Sequence, residues 1–179
     1  MDNLREKTQK KVLICRGNFL ELYQDQVVLP NGKVATREYL HHPGAIAAAP
    51  LLDSGEILLV KQFRYPTGSV LLEIPAGKLD PGEEPEVCVE RELMEEIGYR
   101  PSQITHLISI WTTPGFTDEI IHLYLAKGLK PAFREKDSDE FLEVVAMSKE
   151  KLMEQLTALP VVDGKTALAL TIMALRKLW

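Results

Sequence analysis

Three glutamates close together on one predicted helix are the residues in this sequence whose spacing first suggests chemistry. They lie in the stretch Gly77 to Tyr99, which reads GKLDPGEEPEVCVERELMEEIGY. A helix is expected to start near Pro85, because proline is favoured in the first helical turn. At about 100° per residue, Glu92, Glu95 and Glu96 then share an arc of roughly 100° on one face of that helix.

The position of these acids opposes helix stability. Glu92 and Glu96 are like charges at i and i+4, an arrangement that costs an isolated helix about 0.2–0.5 kcal/mol. They also lie just before Gly98, the expected helix stop, where the helix dipole favours cations. The ordinary interpretation is a solvated acidic face. A bound divalent cation would instead remove the conflict, and carboxylate oxygens suit Mg²⁺, Mn²⁺ or Ca²⁺.

The spacing of this stretch matches the Nudix box pattern, GX5EX7REUXEEXGU, in which U is a bulky aliphatic residue. The matching residues are Gly77, Glu83, Arg91, Glu92, Leu93, Glu95, Glu96 and Gly98. Tyr99 departs from the pattern at the last U, which is a packing position. The sequence therefore resembles the Nudix hydrolases. The resemblance implies an α/β fold, a Nudix α/β/α sandwich with a mixed sheet, and hydrolysis of a nucleoside diphosphate linked to another group.

The resemblance also implies a metal site and catalytic residues. The metal ligands would be the Ala76 carbonyl and the carboxylates of Glu92, Glu95 and Glu96, and the ion would be Mg²⁺, with Mn²⁺ as a substitute. Arg91 would orient a box carboxylate, and Glu83 would either support the box or simply favour the helix start.

The general base is expected on the charged loop before the last strand. Four acids of that loop are candidates, and they are Glu135, Asp137, Asp139 and Glu140. A general base must come within hydrogen-bond reach of the attacking water, which the sequence does not show. We take Glu140 as the general base, with Asp139 as the second candidate. The expected catalytic set is therefore Glu140, Glu95 and Arg91.

Segments outside the box resemble the ADP-ribose pyrophosphatase subfamily. Residues 113–119 read TPGFTDE, similar to the subfamily pattern SPG(F/G)(S/T)(D/E)E, and VKQFRYPTG and VVLPNGKVATREYLHHPGAI are also similar. The resemblance implies that Arg37 and Arg64 line the substrate site, with Arg64 reaching the pyrophosphate, and that Glu119 contacts the ribose side. Tyr23 could stack on the base, or it could be a half-buried strand tyrosine.

The implied activity is Mg²⁺-dependent cleavage of ADP-ribose, or a related nucleoside diphosphate sugar, to a nucleoside monophosphate and a sugar phosphate. One alternative is a GDP-mannose or broad nucleoside diphosphate sugar hydrolase. A second is a pyrophosphatase that removes oxidised nucleoside triphosphates. A non-catalytic nucleotide sensor is disfavoured because every box acid is present. The resemblance also implies a homodimer in which the N-terminal sheets contribute to shared sites.

Composition restricts the class of protein. The chain has 179 residues, of which 45% are hydrophobic and 26% charged, and these values are typical of a globular protein. A net charge of −5 without a basic cluster argues against a protein that coats nucleic acid. Two cysteines form no recognisable disulfide framework. The start, MDNLREKTQKK, lacks an apolar segment, so we expect no membrane association and a cytoplasmic location.

The order of predicted elements divides the chain into two parts. Residues 1–42 form a small antiparallel sheet for dimerisation and substrate contact, with a hairpin turn at Asn31-Gly32 and a frayed start over residues 1–10. Residues 43–179 form the Nudix hydrolase domain. In that domain, strands alternate with the box helix, a helix from Lys149 to about Leu159, and a final helix from Thr166 to Leu178.

Overall fold

The structure, a computed structural model, describes residues 2–133 and 140–179. The chain divides into two compact units. The first contains Met1–Gly44 and Ile110–Ile120, and the second contains Ala45–Ser109 and Ile121–Trp179. Over the described ranges, the helices are all too short or too polar to cross a lipid bilayer.

The N-terminal part of the first unit is an antiparallel sheet. Its strands are β1 (Lys7–Lys10), β2 (Leu13–Arg16), β3 (Glu21–Val28) and β4 (Val34–His41). Strand β4 pairs with β3 along its length, while β1 and β2 also pair with β3. Gly32 has a φ of +82°, a value that glycine adopts readily, and it forms the hairpin turn expected between β3 and β4.

The expectation of a frayed start is wrong for β1, whose Lys7 pairs with Val28. Its sequence, KTQK, contains no alternation of apolar and polar residues, and all four side chains are exposed. Its backbone hydrogen bonds to β3 hold it in place, and a periodicity argument cannot detect these. Before β1, residues Asp2–Leu4 form a short 3-10 turn.

Among the described residues, the remaining strands form three sheets, and three helices accompany them. The strands are β5 (Ala45–Pro50), β6 (Ile57–Arg64), β7 (Ser69–Glu73), β8 (Ala76–Lys78), β9 (Tyr99–Arg100), β10 (Gln103–Trp111), β11 (Ile120–Lys127), β12 (Lys130–Pro131) and β13 (Leu142–Met147). The helices are α1 (Pro85–Glu96), α2 (Lys149–Ala158) and α3 (Gly164–Leu175). One sheet has the order β10-β11-β5-β8, with β11 parallel to β5 and β8 antiparallel to it. Strands β13, β6 and β7 are antiparallel, and the third sheet pairs β12 with β9.

The core of the second unit has two sides because side chains alternate along each strand. On one side, β5 packs with α1 through Ile46, Ala48, Val89 and Leu93. On the other side, β5 packs with α2 and α3 through Ala47, Ala49, Leu152, Leu170 and Met173. Side chains as buried as Leu93 and Leu170 each contribute about 1.5–3 kcal/mol to stability. The predicted α/β/α sandwich is confirmed.

Two local departures from the expected elements matter for the site. The final helix starts at Gly164 rather than Thr166, because Asp163 caps it and accepts a hydrogen bond from the Thr166 N–H at 2.9 Å. The segment before the box is also a strand, β8, whose Ala76 and Gly77 pair with Ala47 and Ile46 of β5.

Candidate active site

The box helix buries its acidic face. Helix α1 begins at Pro85 as predicted and ends at Glu96, and Gly98 follows with a φ of +73°. Glu92 is 8% exposed and Glu96 only 2%. The solvated acidic face, which is the ordinary interpretation of such a helix end, therefore does not apply to these two residues.

Strand β8 approaches both of these carboxylates. A Cβ atom built on Gly77 would lie 1.7 Å from Oε1 and 2.5 Å from Oε2 of Glu92, far closer than non-bonded atoms approach. The Glu92 carboxylate therefore occupies the space that any other side chain at position 77 would need. The backbone N–H of Ala76 donates to Oε2 of Glu96 at 3.1 Å.

Arg91 connects the other box acids. Its Nε and Nη2 donate to the two oxygens of Glu83, both at 2.9 Å, and its Nη1 donates to Glu92 at 2.6 Å and to Glu95 at 3.1 Å. The bonds from Arg91 lower the pKa of Glu83 to about 2. Nη2 also donates to the carbonyl of Lys78 at 3.0 Å. Glu83 is thus connected to Glu92 and Glu95 through Arg91, and it also lies before the helix start.

Glu92 and Glu96 are difficult to ionise in this environment. Burial raises the pKa of Glu92 to about 7, assisted by the charges of Glu95 and Glu140 and opposed by Arg91. Burial likewise raises the pKa of Glu96 to about 8, assisted by the charges of Glu92 and Glu140. The Ala76 N–H and the Arg64 charge oppose the shift of Glu96. Glu140, the candidate general base, therefore acts electrostatically on both carboxylates.

The donors of this cluster fit a divalent cation. Within residues 2–133 and 140–179, His, Cys, Asp and Glu side chains nowhere converge in a ready-made set of three or more metal ligands, and Arg91 engages Glu92 and Glu95. The chemistry of the donors is nevertheless that of a hard-cation site, because buried carboxylates with raised pKa values gain most from an added positive charge. Glu92, Glu95, Glu96 and the Ala76 carbonyl are the groups that could hold such an ion.

Arg64 belongs to the same unit as the box acids. It ends β6, and its Nε and Nη2 donate to the two oxygens of Glu73, each at 2.8 Å. The charge of Arg64 opposes the upward shift of the Glu96 pKa, so the guanidinium acts on the acidic cluster. Lys165 donates to Glu73 as well.

Sequence analysis did not identify Glu73 or Lys165 as part of this contact. Glu73 had a signal, namely an acid within the apolar strand sequence LLEIP. Lys165 had none, because it lies ninety-two residues away along the chain.

Three predicted substrate residues lie in the first unit. Arg37 on β4 is ion-paired with Glu6. Tyr23 stacks on Tyr39, with ring centroids 5.3 Å apart, and its hydroxyl donates to Glu21 at 2.6 Å. Glu119 accepts from the Thr112 hydroxyl at 2.7 Å, and its Oε1 lies 3.5 Å from Nε2 of His42. Their roles stay predictions. The other loop acids, Glu135, Asp137 and Asp139, lie outside the described residues.

Comparisons with known proteins agree with this fold. The family model described as the NUDIX domain matches residues 40–167. The chain is 44% identical over 179 residues to an ADP-ribose pyrophosphatase of Bacillus subtilis strain 168, covering 99% of this chain and 97% of that protein. It is 41% identical over 174 residues to a methanol dehydrogenase activator of Bacillus methanolicus, covering 96% and 94%. A crystal structure of an ADP compounds hydrolase superposes with a TM-score of 0.84 at 22% identity, covering 97% of this chain and 95% of that one.

Proposed function

Because the chain belongs to the NUDIX domain family, we propose that it hydrolyses the pyrophosphate of ADP-ribose or a related nucleoside diphosphate sugar. The products would be a nucleoside monophosphate and a sugar phosphate. The observation that carries the proposal is the buried pair Glu92 and Glu96, with Arg64 acting on it electrostatically. The 44% identity to an ADP-ribose pyrophosphatase supports this substrate class over nucleoside triphosphates.

The reaction would depend on a divalent cation, for which we propose Mg²⁺ with Mn²⁺ as a substitute. Glu92, Glu95, Glu96 and the Ala76 carbonyl would hold it. When bound, such an ion would neutralise charge on the phosphoryl oxygens and make the attacking water more acidic. Arg91 holds the carboxylates of Glu92 and Glu95 near each other, because its Nη1 donates to both.

The chain's own side chains supply the remaining chemistry. Arg64 binds the diphosphate, which a planar guanidinium recognises well through paired N–H donors. Glu140 accepts a proton from the attacking water while the oxygen of that water bonds to phosphorus. The bond between that phosphorus and the bridging oxygen breaks, and the bridging oxygen leaves with the other phosphate. Negative charge on the transferring group is the main barrier, so positioning and electrostatics dominate catalysis.

We further propose a homodimer, with Arg37, Tyr23 and Glu119 as substrate contacts. Large apolar side chains on the N-terminal sheet support this, since Leu13 is 42%, Ile14 53% and Leu22 36% exposed. A second copy of the chain that covered this sheet would remove their apolar surface from water. Light scattering coupled to size-exclusion chromatography tests the dimer, and a monomer at assay concentration would contradict it.

A substrate panel tests the activity. ADP-ribose, ADP-glucose, GDP-mannose, UDP-glucose and dGTP are incubated with Mg²⁺, and phosphate is released from the products by a coupled phosphatase. We expect kcat/KM to be highest for ADP-ribose. Preference for GDP-mannose would keep the Nudix chemistry but change the substrate, and preference for dGTP would overturn the proposal. The Glu96→Gln variant serves as the control for contaminating hydrolases.

A second function is favoured by the 41% identity to a methanol dehydrogenase activator. We propose as a second function that the chain stimulates a methanol dehydrogenase as well as hydrolysing nucleotides. The test adds the wild-type chain, or Glu96→Gln, to a methanol dehydrogenase with methanol, the electron acceptor of that enzyme and Mg²⁺. Stimulation by the wild type supports this function, and an unchanged dehydrogenase rate rejects it.

A further inference from the structure

A closed ring of polar contacts joins the end of β7 to the start of α3. Lys165 donates to Glu73 and, at 2.9 Å, to Oδ1 of Asp163. Asp163 accepts from the backbone N–H of Thr166 at 2.9 Å and from its hydroxyl at 2.6 Å. The Thr166 hydroxyl oxygen accepts from the N–H of Ile74 at 2.9 Å. Ile74 follows Glu73 in the chain, which closes the ring.

The ring keeps a buried carboxylate ionised. Glu73 is 1% exposed, and a buried charge is costly unless it is paired and hydrogen-bonded. Burial works to raise the pKa of Glu73, but Arg64 and Lys165 together outweigh it and lower that pKa. Lys165 therefore supplies Glu73 with a cation that does not depend on Arg64.

A fixed Glu73 in turn fixes Arg64. A guanidinium has five N–H donors, and Glu73 uses one on Nε and one on Nη2. The two N–H groups of Nη1 and the second one of Nη2 form another edge, on a side chain that is 37% exposed. With one edge held by the protein, the other edge can meet a diphosphate without first being ordered, which reduces the entropic cost of binding.

We propose that Lys165 is a positioning residue for substrate binding, which acts by holding Glu73 so that Glu73 aims Arg64 at the diphosphate. The inference rests on the proposed function, because it assumes that Arg64 contacts the substrate. It extends the site to the first turn of α3, which the sequence motifs do not include.

The ring also fastens α3 to β7, so the test must separate positioning from stability. Lys165→Met removes the charge and keeps the length of the side chain, whereas Lys165→Arg retains a cation. Lys127→Met is the matched control, because the Lys127 ammonium donates to the carbonyl of Leu178, beyond the other end of α3, at 3.3 Å. The melting temperature of each variant reports stability separately.

The measurement is the Kd of the non-hydrolysable analogue α,β-methylene ADP-ribose, by calorimetry. We expect Lys165→Met to weaken binding about tenfold, corresponding to about 1.4 kcal/mol. Lys165→Arg should recover most of this loss, and Lys127→Met should bind like the wild type. In an Arg64→Met background, Lys165→Met should add nothing, because its effect passes through Arg64. Wild-type binding by Lys165→Met, equal weakening by Lys127→Met, or additive losses in the double variant would each overturn the proposal.

Two provisions keep the test decisive. If Lys165→Met does not fold, Asp163→Asn replaces it, because asparagine still caps a helix but no longer pairs with the Lys165 charge. That variant should weaken binding about threefold, and unchanged binding would overturn the inference. If the wild type does not bind the analogue, the proposed substrate is wrong. Inorganic pyrophosphate then serves as the probe, and the same ratios between variants decide the role of Lys165.

Discussion

Glu73 and Glu96 are buried to the same degree and behave in opposite ways. Glu73 is 1% exposed and Glu96 is 2% exposed, and both lie in the second unit. The pKa of Glu73 is lowered, although burial alone would raise it, whereas burial raises the pKa of Glu96 to about 8. Solvent exposure therefore does not explain the difference between them.

The number of cations beside each carboxylate explains it. Glu73 accepts hydrogen bonds from both Arg64 and Lys165. Glu96 accepts one from the neutral N–H of Ala76, while the charges of Glu92 and Glu140 oppose its ionisation. The chain thus provides two positively charged partners for Glu73, whereas Glu96 would gain a positively charged partner only from an added cation. A carboxylate that the fold buries without a cation is the better candidate ligand.

The largest expected effect comes from neutralising Glu96. Glu96→Gln should lower kcat/KM about 10⁴-fold, because a metal ligand supports several kcal/mol of charge stabilisation. The melting temperature in chelator at pH 8 should hold or rise, since the substitution removes like-charge repulsion. Glu86→Gln, at an exposed position on the same helix, is the control and should change neither value. Undiminished turnover in Glu96→Gln would contradict the assignment of Glu96 as a metal ligand.

The same substitution at Glu73 should lower stability, in addition to weakening substrate binding through Arg64. Glu73→Gln leaves Arg64 and Lys165 sharing a neutral partner, and breaking a buried ion pair costs about 3–5 kcal/mol. Denaturant unfolding measures the loss. Glu143→Gln, which breaks the exposed pair with Lys61, should cost about 0–1 kcal/mol. Equal losses in the two variants would show that the buried contact has no special weight.

Gly77→Ala tests whether the position of Glu92 matters independently of its charge. The added methyl group would meet the carboxylate at 1.7 Å and displace it, and a misplacement of about 1 Å costs roughly 10²-fold in rate. Gly164→Ala adds a methyl group where nothing lies within 4 Å and should leave the rate unchanged. Full activity in Gly77→Ala would mean that Glu92 tolerates displacement.

The final expected effect is a pH dependence of stability. Between the ordinary value of 4.5 and the folded pKa values of about 7 and 8, folded Glu92 and Glu96 hold protons that the unfolded chain has released. In chelator, stability should therefore fall as pH rises from 5.5 to 8. The melting temperature, measured in chelator at several pH values across this window, should show the fall.

Excess Mg²⁺ should abolish this fall, because a bound cation favours the ionised carboxylates over the whole range. Glu83, with a pKa of about 2, loses its contribution only below pH 4.5 and does not interfere in this window. A stability profile in chelator that rises toward pH 8 would contradict the raised pKa values.

Local signals predicted most of the fold and the box. The helix over Pro85–Glu96, the Asn-Gly hairpin and the apolar strands follow from proline and glycine placement and from periodicity. Strand β1 did not, because its side chains are all exposed and only its pairing with β3 defines it. Strand β8 did not either, since three residues before a loop are too few to show a pattern.

The candidate site divides in the same way. Glu92, Glu95 and Glu96 lie within one and a half helical turns, so their spacing alone placed them on one face, whereas Arg91 was identified from the box pattern. Arg64 was predicted from a family resemblance. Its partner Glu73 was not predicted, because the sequence position of an acidic residue in a strand does not indicate which side chain it contacts.

The amino-acid sequence by itself determined the metal-type acidic face, the helix that presents it and the family to which the chain belongs. These depend on residue types at short separations, which backbone geometry converts directly into a shared surface. Only the tertiary structure decided which carboxylates receive a cation from the chain. Lys165 reaches Glu73 across ninety-two residues, and only packing of α3 beside β7 makes that contact. Burial and partner count are properties of the assembled unit, and the number of cationic partners separates Glu73 from Glu96.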